Sequence, residues 1–452
     1  MLAAFKLYLM PILVYLGVFW AAGQGLFKRA SVPVFLFLIL VEFPQFWYPT
    51  HDFPLGSMSL TILGLSALIG GYRQRPPGDP PAPHHGFVLV LIVSSYVAVW
   101  VTSSRYGLGM PLTGAHDLVP AWRNYALMLS LYYVGYSAIR TEDTIRRVLL
   151  LYCWVIIVMA WREIANFVSG DVFSYNRRSV GPFYIVGMGA NHFAAFIAHI
   201  SVIAVGLYAM DTHKWRRRLY LVCFVASLYP LFFSYSRGAY VAVLLALLVV
   251  GVIRYRALLP VLGIFLLFWD SLLPTSVVDR IQMTESPDGQ IEESAALRLV
   301  VWDLAEKLFH DNPIFGIGFQ GFYYASNGLP LRNVHNYFLQ TACEQGVFGI
   351  VLLALFFLKA GWTGWRLYRL GSTPFYQGIG LGFIACLSAV AVTNLFGDRF
   401  SQLGIGSYLW LLFGIVDRAL VLSLQRAQSA PVPAVEPVRP GPPSPLVSRP
   451  RT

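Results

Sequence analysis

Charge is scarce in this 452-residue chain, with Asp, Glu, Lys and Arg making up only 12% of it, against roughly a quarter in a soluble domain. So little charge cannot cover a water-facing surface, and the 57% hydrophobic content belongs instead to a chain dissolved in a bilayer. Cysteine is scarcer still. Cys153, Cys223, Cys343 and Cys386 each lie inside an apolar run without paired spacing, which excludes a disulfide framework or a zinc site and leaves packing as their role. There is no Asp-x-Asp pair, no Asp/His cluster and no Walker-type glycine loop. The signatures of a catalytic metal and of nucleotide hydrolysis are therefore missing.

Apolar runs are what the chain has in quantity. A crossing takes about 20 residues, and candidate spans fall at roughly 7 to 22, 31 to 47, 57 to 72, 86 to 103, 120 to 139, 146 to 168, 188 to 209, 217 to 233, 238 to 253, 257 to 271, 336 to 358, 375 to 396 and 402 to 424. The reading is an all-α polytopic membrane protein with about 12 transmembrane helices, the Pro-bearing Val32–Trp47 segment being tilted or re-entrant. The first run, Leu7 to Ala22, reads as a mature helix rather than a cleaved signal.

The net charge of +11 points to topology and not to nucleic acid, because the cations cluster between apolar runs. Arg73 and Arg75, Arg140 with Arg146 and Arg147, Lys214 with Arg216 to Arg218, Arg254 with Arg256, and Lys359 with Arg366 and Arg369 mark cytoplasmic connections. Counting outward from them puts Phe173–Pro182, Ser234–Gly238, Ser271–Val334 and Asp398 with Arg399 on the opposite, periplasmic side.

The expected organisation is an N-terminal transmembrane bundle over 1–270, a periplasmic loop domain over 271–334, C-terminal transmembrane helices over 335–425, and a disordered Pro-rich cytoplasmic tail over 426–452. In the loop domain, Leu297, Val300, Val301, Leu304 and Leu308 recur at helical spacing before Asn312-Pro313 and Gly316-Ile317-Gly318. That pattern predicts an amphipathic helix at the interface followed by a tight loop.

Chemistry is expected where the long loop becomes a membrane helix, at His335-Asn336, followed by Gly346-Val347-Phe348-Gly349. On a regular helix both glycines return to within roughly 40° of the His335 face, which would let that face pack closely. An imidazole titrating near neutrality suits removal of a proton from an attacking sugar hydroxyl. As an alternative, His335 merely caps the helix or meets headgroups. Arg237 interrupts two apolar spans, and a lipid diphosphate would pair it, against a snorkelling arginine in a short turn. Arg298, near the start of the loop helix, could clamp the same phosphates or be a solvated charge beside Asp303 and Glu306. Arg178, next to Arg177, ranks third as a phosphate ligand. Asp398 either pairs locally with Arg399 or orients His335. Glu344 falls about 180° from His335 and reads as a structural hydrogen-bonding group inside the bundle.

Together, His335-Asn336 with its gap to Gly346-x-x-Gly349, Ser236-Arg237-Gly238, Arg298, Asn312-Pro313-x-x-Gly316-x-Gly318, Arg178-Ser179-Val180-Gly181 and Asp398 resemble the O-antigen ligase and polymerase superfamily over roughly residues 170–400. The resemblance implies a GT-C-like bacterial inner-membrane glycosyltransferase. It would move polysaccharide from undecaprenyl diphosphate to the lipid A core oligosaccharide at the periplasmic face, with inversion and without metal or other cofactor. His335 would then activate the acceptor, Arg237, Arg298 and Arg178 would bind the diphosphate, and Asn336 and Asp398 would support them. An O-antigen polymerase and a protein O-oligosaccharyltransferase share the donor and differ in acceptor. A transporter fits poorly, because the polar candidates gather on one face rather than at the midplane.

Overall fold

A computed structural model describes residues 10–43, 56–168, 178–282, 293–329 and 331–429. Arg177, the N-terminal ends of the first span and of the loop at 173–182, the C-terminal end of the second span, and the tail beyond 429 lie outside the described residues.

The described elements are all helical, as backbone in a bilayer requires, because hydrocarbon offers no partner for an open N–H or C=O. In chain order they are α1 Met10–Phe27, α2 Val32–Glu42, α3 Gly56–Arg73, α4 His85–Tyr106, α5 Val119–Ala138, α6 Glu142–Val168, α7 Ala190–Met210, α8 Lys214–Phe233, α9 Arg237–Ile253 and α10 Leu258–Leu267. There follow α11 Trp269–Leu272, α12 Thr275–Gln282, α13 Glu293–Asp311, α14 Gly321–Ala325, α15 Tyr337–Leu370, α16 Pro374–Leu395 and α17 Leu403–Ser429, with single 3-10 turns at Gly181–Val186 and Arg399–Ser401.

Among the described residues six helices, α4, α6, α7, α15, α16 and α17, are long and apolar enough to cross a membrane. The other expected crossings fall on shorter or more polar helices. One is broken: the expected span at 257–271 is the ten-residue α10 followed by α11, so no single helix makes that passage. The predicted amphipathic helix is α13, which buries Val301 and Ala305 in a small core with Ile317, Phe322, Val334 and Cys343.

The bundle centre is α7 with α16, and α5 with α17. A Cβ on Gly206 would strike Gly382, and one on Gly135 would strike the Leu411 carbonyl. Small residues thus bring these helices to backbone contact, which is how helices associate where lipid competes for apolar surface. The four cysteines are buried and free, as their apolar setting predicts.

The glycine pair in α15 behaves otherwise than a regular helix would have it. Gly346 has φ 63° and ψ −161°, a backbone region essentially confined to glycine, and it kinks the helix. The kink frees two carbonyls and two amides, and the loop after α13 takes up all four. Ile317 N donates to Cys343 O at 2.9 Å and Gly318 N to Glu344 O at 2.8 Å, while Val347 N donates to Pro313 O at 2.7 Å and Phe348 N to Ile314 O at 3.2 Å. The segment 313–319, expected as a tight surface loop, is therefore wedged against α15. Its far edge reaches α4 through Phe319 N donating to Ala98 O at 3.0 Å.

Candidate active site

Helices alternate in direction, so the N-termini of α7, α9, α15 and α17 and the C-terminus of α16 share one end of the bundle with α13. That end gathers every candidate residue named from the sequence.

The turn before α9 is built by its serines. Ser234 Oγ donates to Leu231 O at 2.6 Å and accepts from Ser236 N at 3.3 Å, while buried Tyr235, at φ 53°, donates to Ser276 Oγ at 3.1 Å. This puts Arg237 at the first position of α9, beside a cavity of about 290 Å³. Four guanidinium groups line it: Arg237, Arg280 from α12, Arg298 from α13 and Arg399. Asn191, Ser236 and Thr393 add neutral polar groups, and among the described residues no carboxylate lines the cavity. Burial, reinforced by Arg298 and Arg178 and opposed by Asp398, pulls Arg399 down to about 10, so it stays charged at neutral pH. Gly397 leaves the room for it, since a Cβ there would occupy the place of the Arg399 guanidinium.

Arg178 does not line this cavity. Its Nε donates to Ser234 O at 2.8 Å and its NH2 to Asn191 Oδ1 at 2.7 Å. These bonds tie the turn before α9 to the start of α7.

The arginine cavity adjoins an apolar groove of about 610 Å³ between α8, α9 and α10, and Arg237 and Val241 line both. Leu228, Leu244, Val261, Phe265 and Trp269 are among the groove walls. A cationic head and a hydrocarbon trough therefore meet at one arginine.

On the other flank lies a polar cleft of about 680 Å³. Its lining includes Tyr125, Tyr323, Tyr324 and Tyr337, the amides of Asn124, Gln320 and Gln340, and Glu344. The Glu344 carboxylate is buried and accepts from Phe322 N at 3.4 Å, the structural hydrogen bond its position suggested. Asn333 and Asp398 form the edge nearest the arginine cavity.

His335 lines neither cavity, but it is within electrostatic reach of Asp398, which lines the cleft, and of Arg298 and Arg399, which line the arginine cavity. It is half-buried, with φ 54°. Asn333 Oδ1 accepts its backbone N–H at 2.7 Å, and Asn333 Nδ2 donates to Asp398 Oδ2 at 2.8 Å. Asp398 also accepts from Gln402 Nε2 at 3.2 Å and lies 3.9 Å from His192 Nε2. Burial alone would raise the Asp398 carboxyl, but His192, Asn333 and Arg399 outweigh it and hold it well below the usual carboxylate range. Asp398 thus acts on His335 through Asn333 and through space, while the imidazole makes no hydrogen bond among the described residues. Burial lowers the His335 pKa; Asp398 opposes this, and Arg298, Arg399 and His192 add to it. The ring is neutral near pH 7 and free to accept a proton. Asn336 caps α15, its Oδ1 accepting from Phe338 N at 3.0 Å and Leu339 N at 3.1 Å.

The sequence reading missed Arg280, Arg399, Asn333 and His192 as members of the site. Arg399 enters the sequence reading only as one of two possible partners for Asp398. Asn333 carried a signal, because an Asn two residues before a left-handed position is an Asx-turn pattern. Among the described residues no cluster of His, Cys, Asp or Glu is arranged to hold a metal ion.

No curated protein matches the chain. Residues 222–354 match the family model described as O-antigen ligase. That stretch runs from α8 into α15 and contains Arg237, Arg280, Arg298 and His335, together with most of the groove. His192, Asp398 and Arg399 lie beyond it and complete the same site in space. Residues 222–354 are therefore similar to the O-antigen ligase family, and they lie in a chain whose described residues include six helices long and apolar enough to cross a membrane.

Proposed function

We propose that this protein is an O-antigen ligase, transferring polysaccharide from undecaprenyl diphosphate to the lipid A core oligosaccharide at the periplasmic face of the bacterial inner membrane. The observation that carries the reading is the junction at Arg237, where a four-arginine cavity meets a hydrocarbon trough. A polyprenyl diphosphate has that bipartite chemistry. Its phosphates find charged donors that stay protonated throughout turnover, and its chain lies along α8, α9 and α10.

The acceptor enters from the tyrosine-lined cleft. Amide and carboxyl side chains hydrogen-bond sugar hydroxyls, and tyrosine rings offer flat faces to a pyranose. His335 takes the proton of the attacking hydroxyl, and the hydroxyl oxygen bonds to the anomeric carbon. The bond from that carbon to the phosphate oxygen breaks, and its electron pair leaves with the diphosphate. Arg237, Arg280, Arg298 and Arg399 neutralise the growing charge, which supplies most of the electrostatic stabilisation. Entry from opposite flanks gives inversion at the anomeric carbon.

The test incubates purified protein with undecaprenyl-diphosphate glycan and lipid A core oligosaccharide. Wild type should form conjugate. His335→Ala should lower kcat by a factor of about 10² to 10⁴, and Arg237→Ala should raise the donor KM. Elongation of the donor instead of labelling of the core would make the protein a polymerase. Full activity of His335→Ala would remove the proposed base.

A further inference from the structure

At the end of the bundle opposite the arginine cavity, a second basic recess of about 430 Å³ is lined by Lys28, Arg29, Arg140 and Arg147, with Ser31 and Thr144 contributing hydroxyls. We propose that this recess binds the phosphodiester headgroup of an anionic membrane lipid, a site independent of the glycosyl-transfer reading.

The recess is a built feature. Gln74 clamps the turn between α1 and α2, its Nε2 donating to Gly25 O at 2.7 Å and its Oε1 accepting from Ala30 N at 3.1 Å. Arg140 donates in turn to the carbonyls of Gln74 and Gly71. The turn that presents Lys28 and Arg29 is thereby fixed against the ends of α3 and α5.

Its charge is largely uncompensated. Arg147 pairs with Asp143 at 2.7 Å, but among the described residues Lys28, Arg29 and Arg140 have no acidic partner in ion-pair contact. Behind Arg140, the single carboxylate of Asp79 attracts Arg140 but is itself paired with Arg418 and Arg75, whose like charges act on Arg140 in opposition. A phosphate in the recess would meet guanidinium, ammonium and hydroxyl donors at once.

The source of that phosphate is indicated by α1. Leu16, Trp20 and Phe27 form one exposed stripe, at 61%, 63% and 71% exposure, that ends directly before Lys28 and Arg29. Acyl chains lying along this stripe would bring a headgroup to the recess, as at other basic pockets between membrane helices. A free phosphate would make no use of the stripe.

The experiment uses the full chain in neutral detergent, with bound lipid read by native mass spectrometry. Phosphatidylglycerol is compared with phosphatidylcholine, and inorganic phosphate is added as competitor. Phosphatidylglycerol should be retained in preference, and Lys28→Glu with Arg29→Glu should weaken it roughly tenfold. Reversing Arg254 and Arg256, a basic pair at the same end outside the recess, should leave it unchanged. Lys28→Gln with Arg29→Gln should fall between, and melting temperatures verify the fold of each variant. Equal loss from both reversed pairs would reduce the effect to general surface charge. Displacement by inorganic phosphate would make this a soluble-anion site, and equal retention of phosphatidylcholine would remove the charge requirement; any of these overturns the proposal.

Discussion

Asn333 shows how one side chain can hold several parts of a site in register. One carboxamide receives the His335 amide and donates to the Asp398 carboxylate, so it fixes a histidine whose backbone sits in a region uncommon for anything but glycine. Asn333→Ala should lower kcat roughly 10- to 100-fold, the scale of a misplaced reacting group, while donor KM stays near wild type. An equal loss in donor affinity would mean that the arginine cavity had collapsed as well. The second prediction concerns pH. With His335 as the proposed neutral base and its pKa below the ordinary value, activity should hold as pH falls through about 6.5 and decline only in more acid solution. An acid limb of kcat/KM above that value would contradict the burial of the ring. His335, Arg237 and Arg298 were legible in the sequence because charged or titrating side chains beside apolar spans are expensive and few. Arg280 was not, because only the fold of α12 against α9 and α13 brings it to the cavity.

At the scale of elements, the informative misreading is Gly346. Two glycines three apart on a membrane helix normally mean a close-packed face, and a single-chain reading has no means of knowing that a loop some thirty residues upstream competes for the same carbonyls. Gly346→Ala would force a side chain into φ 63° and against the Ile314 carbonyl. It should cost about 2 kcal/mol or more, seen as a lower melting temperature, and it should reduce transfer by shifting the turn that carries His335. Unchanged stability would show that α15 can straighten. The amphipathic pattern of 297–308 was legible for the opposite reason, because a helix with one buried stripe needs only its own residues to declare it.

For the whole molecule, the sequence carried the helical membrane class and the gathering of the candidates at one end of the bundle, since hydropathy and the positions of cations are set by the bilayer itself. It did not carry the two-flank arrangement, which depends on how α5, α15 and α17 meet. The end remote from the site is tied by Arg418 of α17, whose guanidinium grips Asp79 at 2.6 and 2.8 Å beside the ring of Tyr136, 4.0 Å away. Asp79→Ala would strand a buried guanidinium and should destabilise the fold by about 3 to 5 kcal/mol, read as a fall in melting temperature with donor KM intact. A change in KM without loss of stability would mean that the two ends communicate.

The four backbone bonds that stitch 313–318 to α15 reach beyond the kink they repair. With the bond from Trp302 Nε1 to Val334 O, they couple the helix that carries Arg298 to the segment that carries His335, whereas Arg237 stands on α9. A change in the spacing of α13 and α9 would then move the imidazole and Arg298 together relative to Arg237.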